Sequence, residues 1–141
     1  MIKRRTLYLR FLLISLFVMC GISAKVVGQK SQVNAAAAKA WPQFWTAFRT
    51  AVKKRDRAAL RGMISPDFST AFDQPESWFH SPDDVIKWID QMKLWSELVH
   101  SLASGSRIDR GDRPVRCTKN GSWCFKFGTD GRWRLIERGG E

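Results

Sequence analysis

The stretch 115–136, VRCTKNGSWCFKFGTDGRWRLI, limits the fold more than any other part of this chain. Phe125-Lys126-Phe127 and Trp133-Arg134-Leu135 alternate apolar and basic side chains, the period of a strand with one buried face. Thr129-Asp130-Gly131 separates them. A three-residue loop with Gly131 in the left-handed region pairs Phe127 with Trp133, Phe125 with Leu135 and Lys126 with Arg134. That register collects four apolar side chains on one face and two cations on the other, and a slip of one residue would mix them. Upstream, Asn120-Gly121 is a second hairpin signal. A two-residue turn there sets Cys117 opposite Cys124 on a hydrogen-bonded pair, with Cα atoms about 5.5 Å apart. A three-residue loop, Asn120 to Ser122, instead turns Cys117 inward and Cys124 outward as free thiols. A sheet of this kind needs a layer to cover its apolar face, and everything upstream reads as helices.

The start of the chain has the pattern of a leader. Lys3, Arg4, Arg5 and Arg10 precede the apolar run Phe11 to Cys20, and Ile22-Ser23-Ala24 offers a small-residue cleavage site before Lys25. Residues 1–24 are therefore expected to be a signal peptide cut between Ala24 and Lys25. The alternative is a retained anchor, for which the run is short of the roughly 20 residues a spanning helix needs. A lipidated Cys20 is disfavoured by Met19 before it. The chain has 24 basic and 13 acidic residues; the leader holds four basic and no acidic ones, which leaves 20 against 13, or +7. That charge suits an exported protein, periplasmic or secreted, that meets anionic surfaces or ligands. It does not point to nucleic acid: Arg107, Arg110, Arg113 and Arg116 recur every third residue, but Asp109 and Asp112 interrupt them, the pattern of a solvated face. No membrane partner is expected after cleavage. With the leader gone two cysteines remain, and in an oxidising compartment they imply one disulfide, Cys117–Cys124. Two cysteines and two scattered histidines lack metal-ligand spacing, and no Gly-rich phosphate loop is present, so neither metal nor organic cofactor is expected.

Lys25 to Asn34 is polar, and residues 25–40 are expected to be a flexible segment, with Ala35 to Ala40 either extending the first helix or fraying before Pro42. The first firm helix runs from Pro42 to Arg55. Trp41, Trp45, Phe48 and Val52 form its stripe, and Lys53, Lys54 and Arg55 place cations at the negative end of its dipole. Asp56 caps a short second helix with Leu60, Met63 and Ile64 on one face. A short strand over Phe68 to Phe72 and a loop over Asp73 to Phe79 follow. Ser81-Pro82-Asp83-Asp84 is a helix start, continued by Val85, Trp88, Ile89, Met92, Trp95, Val99 and Leu102 as one helix or as two broken near Leu94; Gly105 ends it. Ser106 to Arg113 reads as turn. The fold class is α+β, helices followed by an antiparallel sheet, in a single domain spanning 41–138.

The run Phe44-x3-Phe48-x2-Ala51-Val52-x3-Asp56-x3-Leu60-x2-Met63-x2-Pro66-Asp67-Phe68 resembles the opening of nuclear transport factor 2-like, or SnoaL-like, domains. Phe125-x-Phe127-x3-Gly131-x-Trp133-Arg134-Leu135 resembles their last hairpin. The resemblance implies a curved sheet wrapped around the first helix, a cone-shaped roll enclosing an apolar pocket. Trp45, Phe48, Trp88, Trp95, Phe127 and Trp133 are then the candidates for lining it, although such a stripe also serves as plain core. Family enzymes place Asp, His and Tyr in the cone. Here the one tyrosine, Tyr8, lies in the leader, so that chemistry does not carry over. Asp73, His80, Asp90 and His100 are what remains for an Asp–His pair acting as base and proton carrier. The function these residues favour is non-catalytic binding of a small ligand or a protein partner, with homodimerisation through the sheet as an option. The alternatives are a lyase, isomerase or hydrolase built on the Asp–His pair, and an anchored component of a secretion assembly.

Overall fold

The computed structural model of the chain describes the backbone of residues 3–70, 79–108 and 114–139, and within these ranges the side chains from residue 28 on. The Ala24–Lys25 junction falls before the described side chains, and Asp73 lies outside the described residues. The chain divides into two compact units, Met1–Ala35 and Ala36–Glu141. The first is helical from Lys3 onward; the sheet and the core belong to the second.

Helix α1 (Lys3–Lys54) runs through the stretch expected to be mobile and through Pro42. The alanines at 35–38 have the highest helix propensity, which outweighs the one backbone hydrogen bond that an interior proline removes. Ala37 is already buried, and the Trp133 indole N–H donates to its carbonyl at 2.9 Å, so the core begins five residues before Pro42. Asp56 caps α2 (Arg57–Arg61) by accepting from the Ala59 amide at 3.0 Å, as its position before Leu60 predicts. Ile64, expected on that helix, instead opens strand β1 (Ile64–Thr70), because Gly62 stops the helix and Ser65-Pro66 cannot continue one. Ser81 caps α3 (Pro82–Gln91), and a turn with Lys93 at φ 56° separates it from α4 (Trp95–Ala103), so the long stripe is two helices.

Four strands follow: β2 (Ser106–Ile108), β3 (Val115–Thr118), β4 (Trp123–Phe127) and β5 (Trp133–Arg138). The sheet order is β1-β5-β4-β3-β2, antiparallel except for the parallel pair β1 and β5. Strand β2 occupies part of the segment read as turn; its three residues pair with β3 as a short edge. The last hairpin has the register that the alternation predicts: Phe127 faces Trp133, Lys126 faces Arg134 and Phe125 faces Leu135, with Gly131 at φ 75° in the turn.

The fold is α+β, a long helix and a mostly antiparallel sheet, but the sheet is not strongly curled, so the expected cone is corrected to an open layer. Aromatic rings occupy the space that a cone would enclose. Phe125 meets Trp41, Phe44, Trp45 and Phe48 of α1 with ring centroids 5.1–5.8 Å apart, all edge-on. Trp133 packs edge-on against Trp41 at 4.6 Å. Rings this bulky fill the centre of the contact between helix and sheet.

The disulfide joins Cys117 to Cys124, which face each other across β3 and β4. The turn is not the two-residue one. The Gly121 amide donates to the Thr118 carbonyl and Gly121 sits at φ 79°, so four residues, Lys119 to Ser122, make the connection. The Phe127 amide donates to Pro114 O, which makes 114 and 127 a hydrogen-bonded pair and, three steps along, Cys117 and Cys124 a non-hydrogen-bonded one. Their Cα atoms are accordingly close, 4.0 Å apart. The pairing is the expected one, on the other class of ladder site.

Candidate functional site

The residues singled out from sequence separate into core, clasp and surface. Phe48 is fully buried, and Trp95, Phe127 and Trp133 are nearly so; Trp45 and Trp88 are half-buried. Trp45 stacks on Trp41 at 5.1 Å. Trp88 packs against Phe68 and Phe79. Asp90 is a clasp: one carboxylate oxygen accepts from the Trp95 indole at 2.6 Å, and the other meets the Arg57 guanidinium at 2.6 Å. It thereby ties α2, α3 and α4 together. His80 and His100 are exposed. The His80 amide donates to Asp84, whose carboxyl is held below its ordinary pKa chiefly by the Ser81 hydroxyl, an ordinary capping box at the start of α3.

Two arginines lie on the inner face, Arg116 opposite Phe125 and Arg138 opposite Trp123. Arg116 rests 5.1 Å over the Trp41 ring, and burial lowers its pKa; it is not part of a solvated basic face. Arg138 lies over Trp88 and Trp123 and grips both oxygens of Glu97 at 3.0 and 3.2 Å. The indole N–H of Trp123 is buried in this cluster without an acceptor among the described residues.

The outer face of the sheet is different. Between Ile64 and Ser69 the β1–β5 pairing shifts: Ile64 pairs with Leu135, but Ser69 pairs with Glu137. Five residues of β1 pass while β5 advances two, so β1 bows away and opens a depression. Pro66, with no amide hydrogen, sits in the bow, and the Ser65 hydroxyl accepts from the Asp67 amide at 3.2 Å to hold it. The depression measures about 580 Å³. Lys126 and Arg134 line it from β4 and β5, Ser65, Ser69 and Thr129 bring hydroxyls, Asp67 stands on the β1 side, and Ile136 adds an apolar side chain.

Arg134 is aimed by Asp130, which takes its guanidinium in a fork at 2.6 and 3.1 Å. That contact raises the pKa of Arg134 and holds the Asp130 carboxyl below its ordinary range. Gly128 makes the fork fit: a Cβ there would lie 2.6 Å from the Asp130 carboxylate and 3.3 Å from the Arg134 guanidinium. Lys126 makes no ion pair among the described residues. Chemically, the site offers one ammonium without an ion-pair partner among the described residues, one fixed guanidinium and several hydroxyls to an anionic group, and a carboxylate opposite to a hydrogen-bond donor. Alternation in β4 and β5 puts Lys126 and Arg134 on one face, but the bow in β1 that makes the hollow has no comparable signal beyond Pro66. No group of His, Cys, Asp and Glu among the described residues has the arrangement of a metal site.

Comparison with family models, with characterised proteins and with solved structures gives no match to this chain.

Proposed function

We propose that the chain is an exported, non-catalytic binding domain of nuclear transport factor 2-like type, which takes a small polar molecule carrying an anionic group in the depression between β1 and β5. The observation that carries this reading is Lys126, a half-buried cation with no ion-pair partner among the described residues, set beside the fixed guanidinium of Arg134 in a hollow of about 580 Å³. An ammonium without a counter-ion is stabilised by whatever anion occupies the hollow. The same cations speak for a ligand over a symmetric dimer through this face, since a second copy would bring like charges toward one another. Support for export comes from the leader pattern and from the disulfide, which is suited to an oxidising compartment. No helix among the described residues is long and apolar enough to cross a membrane.

The experiment is a calorimetric screen of the exported protein against small carboxylates, phosphates and sulfates, each paired with a neutral isostere. Binding is expected for anionic members only and is expected to be lost in Lys126→Gln, with the melting temperature unchanged. Equal binding by the variant would refute the site. Sedimentation of the same samples reports whether the sheet face pairs two copies, and the mass of the exported protein reports whether cleavage occurs after Ala24.

A further inference from the structure

No Asp or Glu occurs before Asp56. Eleven of the 24 Lys and Arg precede it, which leaves 13 to balance the 13 Asp and Glu that follow. The whole net charge of +11 therefore lies on the first 55 residues, and the rest of the chain is neutral in sum.

Within the second unit this charge forms a pattern. Trp41, Phe48, Val52 and Ala37 point α1 into the core. Successive residues of a helix turn by about 100°, which places Lys39 and Lys53 on the opposite face, with Arg49 and Lys54 at its two margins. All four are exposed, and none makes an ion pair among the described residues. Elsewhere in the unit four arginines are matched, Arg57 with Asp90, Arg61 with Asp83, Arg134 with Asp130 and Arg138 with Glu97, and two more, Arg55 and Arg116, lie over the rings of Trp95 and Trp41. The unmatched stripe extends about 22 Å along the helix, at 1.5 Å per residue. Beside it, α1 and α4 form a groove of about 340 Å³ in which Arg49 and Lys53 stand next to Val99, itself 41% exposed.

A stripe this long is matched by an extended anionic surface, not by one small ion. Its details select the kind of surface. A protein interface is anchored by aromatic side chains in its centre, and here α1 spends its aromatics on the core. The hydroxyls on the stripe are also engaged, Thr46 donating to Pro42 O and Thr50 to Thr46 O. What remains is charge on long flexible stems with one exposed aliphatic neighbour, the requirement for resting on lipid headgroups.

We propose that the outward face of α1, Lys39, Arg49, Lys53 and Lys54, docks the folded domain on a membrane surface of anionic phospholipid. This departs from the expectation that the cleaved chain has no membrane partner. Composition shows the charge, but only the helix shows it as one unmatched stripe. The proposal does not depend on the ligand site at Lys126.

The test is co-sedimentation of the exported full-length product with vesicles of phosphatidylcholine alone and of phosphatidylcholine mixed with phosphatidylglycerol, at low and high salt. The parent should bind the mixed vesicles, and bind less as salt rises. The triple variant Lys39→Gln, Arg49→Gln, Lys53→Gln should bind them roughly a hundredfold more weakly, each basic residue near the surface contributing about fivefold. The three residues are exposed, so an unchanged melting curve is the check that the variant folds. Lys126→Gln should bind like the parent. Any retained leader would add equally to parent and variant and would show on neutral vesicles. The proposal falls if the parent binds both vesicle types equally, if it ignores the mixed vesicles at low salt, or if the triple variant matches it. It also falls if an acidic polypeptide displaces the parent from vesicles at equal charge concentration, which would mark the stripe as a protein site.

Discussion

The two faces of one hairpin show how far a two-residue period can separate chemistries. On the inner face Phe125, Phe127, Trp133 and Leu135 are buried and ring meets ring, and the cations that share this face, Arg116 and Arg138, are covered by indoles. On the outer face Lys126 and Arg134 stand half-buried around a hollow with hydroxyls at its edge. The inner face is filled and the outer one is open, the reverse of what a cone closed around the first helix would give. The deciding factor is side-chain volume: aromatic residues on both α1 and the sheet fill the space between them, while the pairing of β1 with β5 relaxes at the bow around Pro66.

The sharpest way to break the comparison is Phe48→Ala. Phe48 is fully buried and packs on Phe44 and Phe125, so truncation is expected to cost about 3–5 kcal/mol, a large part of the total for a domain of this size. Trp45→Ala should cost less, because Trp45 is only half-buried at the margin of the same stack. Urea titration of the pair measures both. If Trp45→Ala were the more damaging, the core would be centred elsewhere.

Next in size is the disulfide, which sits on the outer face. It closes a short loop, so it is expected to contribute about 2–3 kcal/mol at best. The reduced protein should stay folded and melt lower, and thiol titration of unreduced, denatured protein should find no free thiols at these positions. Reduction that unfolds the domain outright would mean the outer face carries more of the stability than its packing suggests.

The elements that could be read from sequence are those in which local chemistry and tertiary packing agree. Asp56 and Ser81 cap helices because their side chains reach amides three residues on. Gly131 sets the register of the last hairpin because the turn needs a left-handed residue there. The elements that escaped depend on partners distant in sequence. Strand β2 forms only because β3 offers an edge. Arg116 is carried inward by its pairing with Phe125 and is covered there by Trp41, 5.1 Å away. Lys126 and Arg134 were legible as neighbours on one face; the hollow beside them was not, since it arises from a mismatch in length between β1 and β5.

A smaller effect is expected at the turn that joins β3 to β4. Asn120 accepts from the Thr118 hydroxyl at 2.6 Å and donates to the Ser101 hydroxyl at 3.0 Å, linking the turn to α4. Both hydroxyls belong to buried residues; Asn120→Ala removes the donor to the Ser101 hydroxyl and the acceptor of the Thr118 hydroxyl, which still accepts from the Trp123 amide, and should cost about 1–3 kcal/mol. Asn120→Asp, which keeps the acceptor and loses the donor, should fall between. Thermal melting distinguishes the three proteins.

The smallest effect, and the one that tests the outer face alone, is Asp130→Asn. The Asp130 carboxyl is held below its ordinary pKa by the Arg134 guanidinium, so its folded value is the lower of the two states. A carboxylate depressed in this way stabilises the fold above its unfolded pKa of about 3.9, and that contribution disappears as pH falls through the folded value. Parent and Asp130→Asn should therefore differ slightly in melting temperature at neutral pH and converge in acid. The pair is exposed and the difference is expected to shrink in salt. The ligand site should respond more than stability does. Without Asp130 to aim it, Arg134 becomes mobile, and anion binding should weaken at neutral pH even though a negative charge has been removed from the neighbourhood. Tighter binding by Asp130→Asn would mean that the carboxylate competes with the ligand for Arg134, and the depression would then be a place where an incoming anion must first displace an internal one.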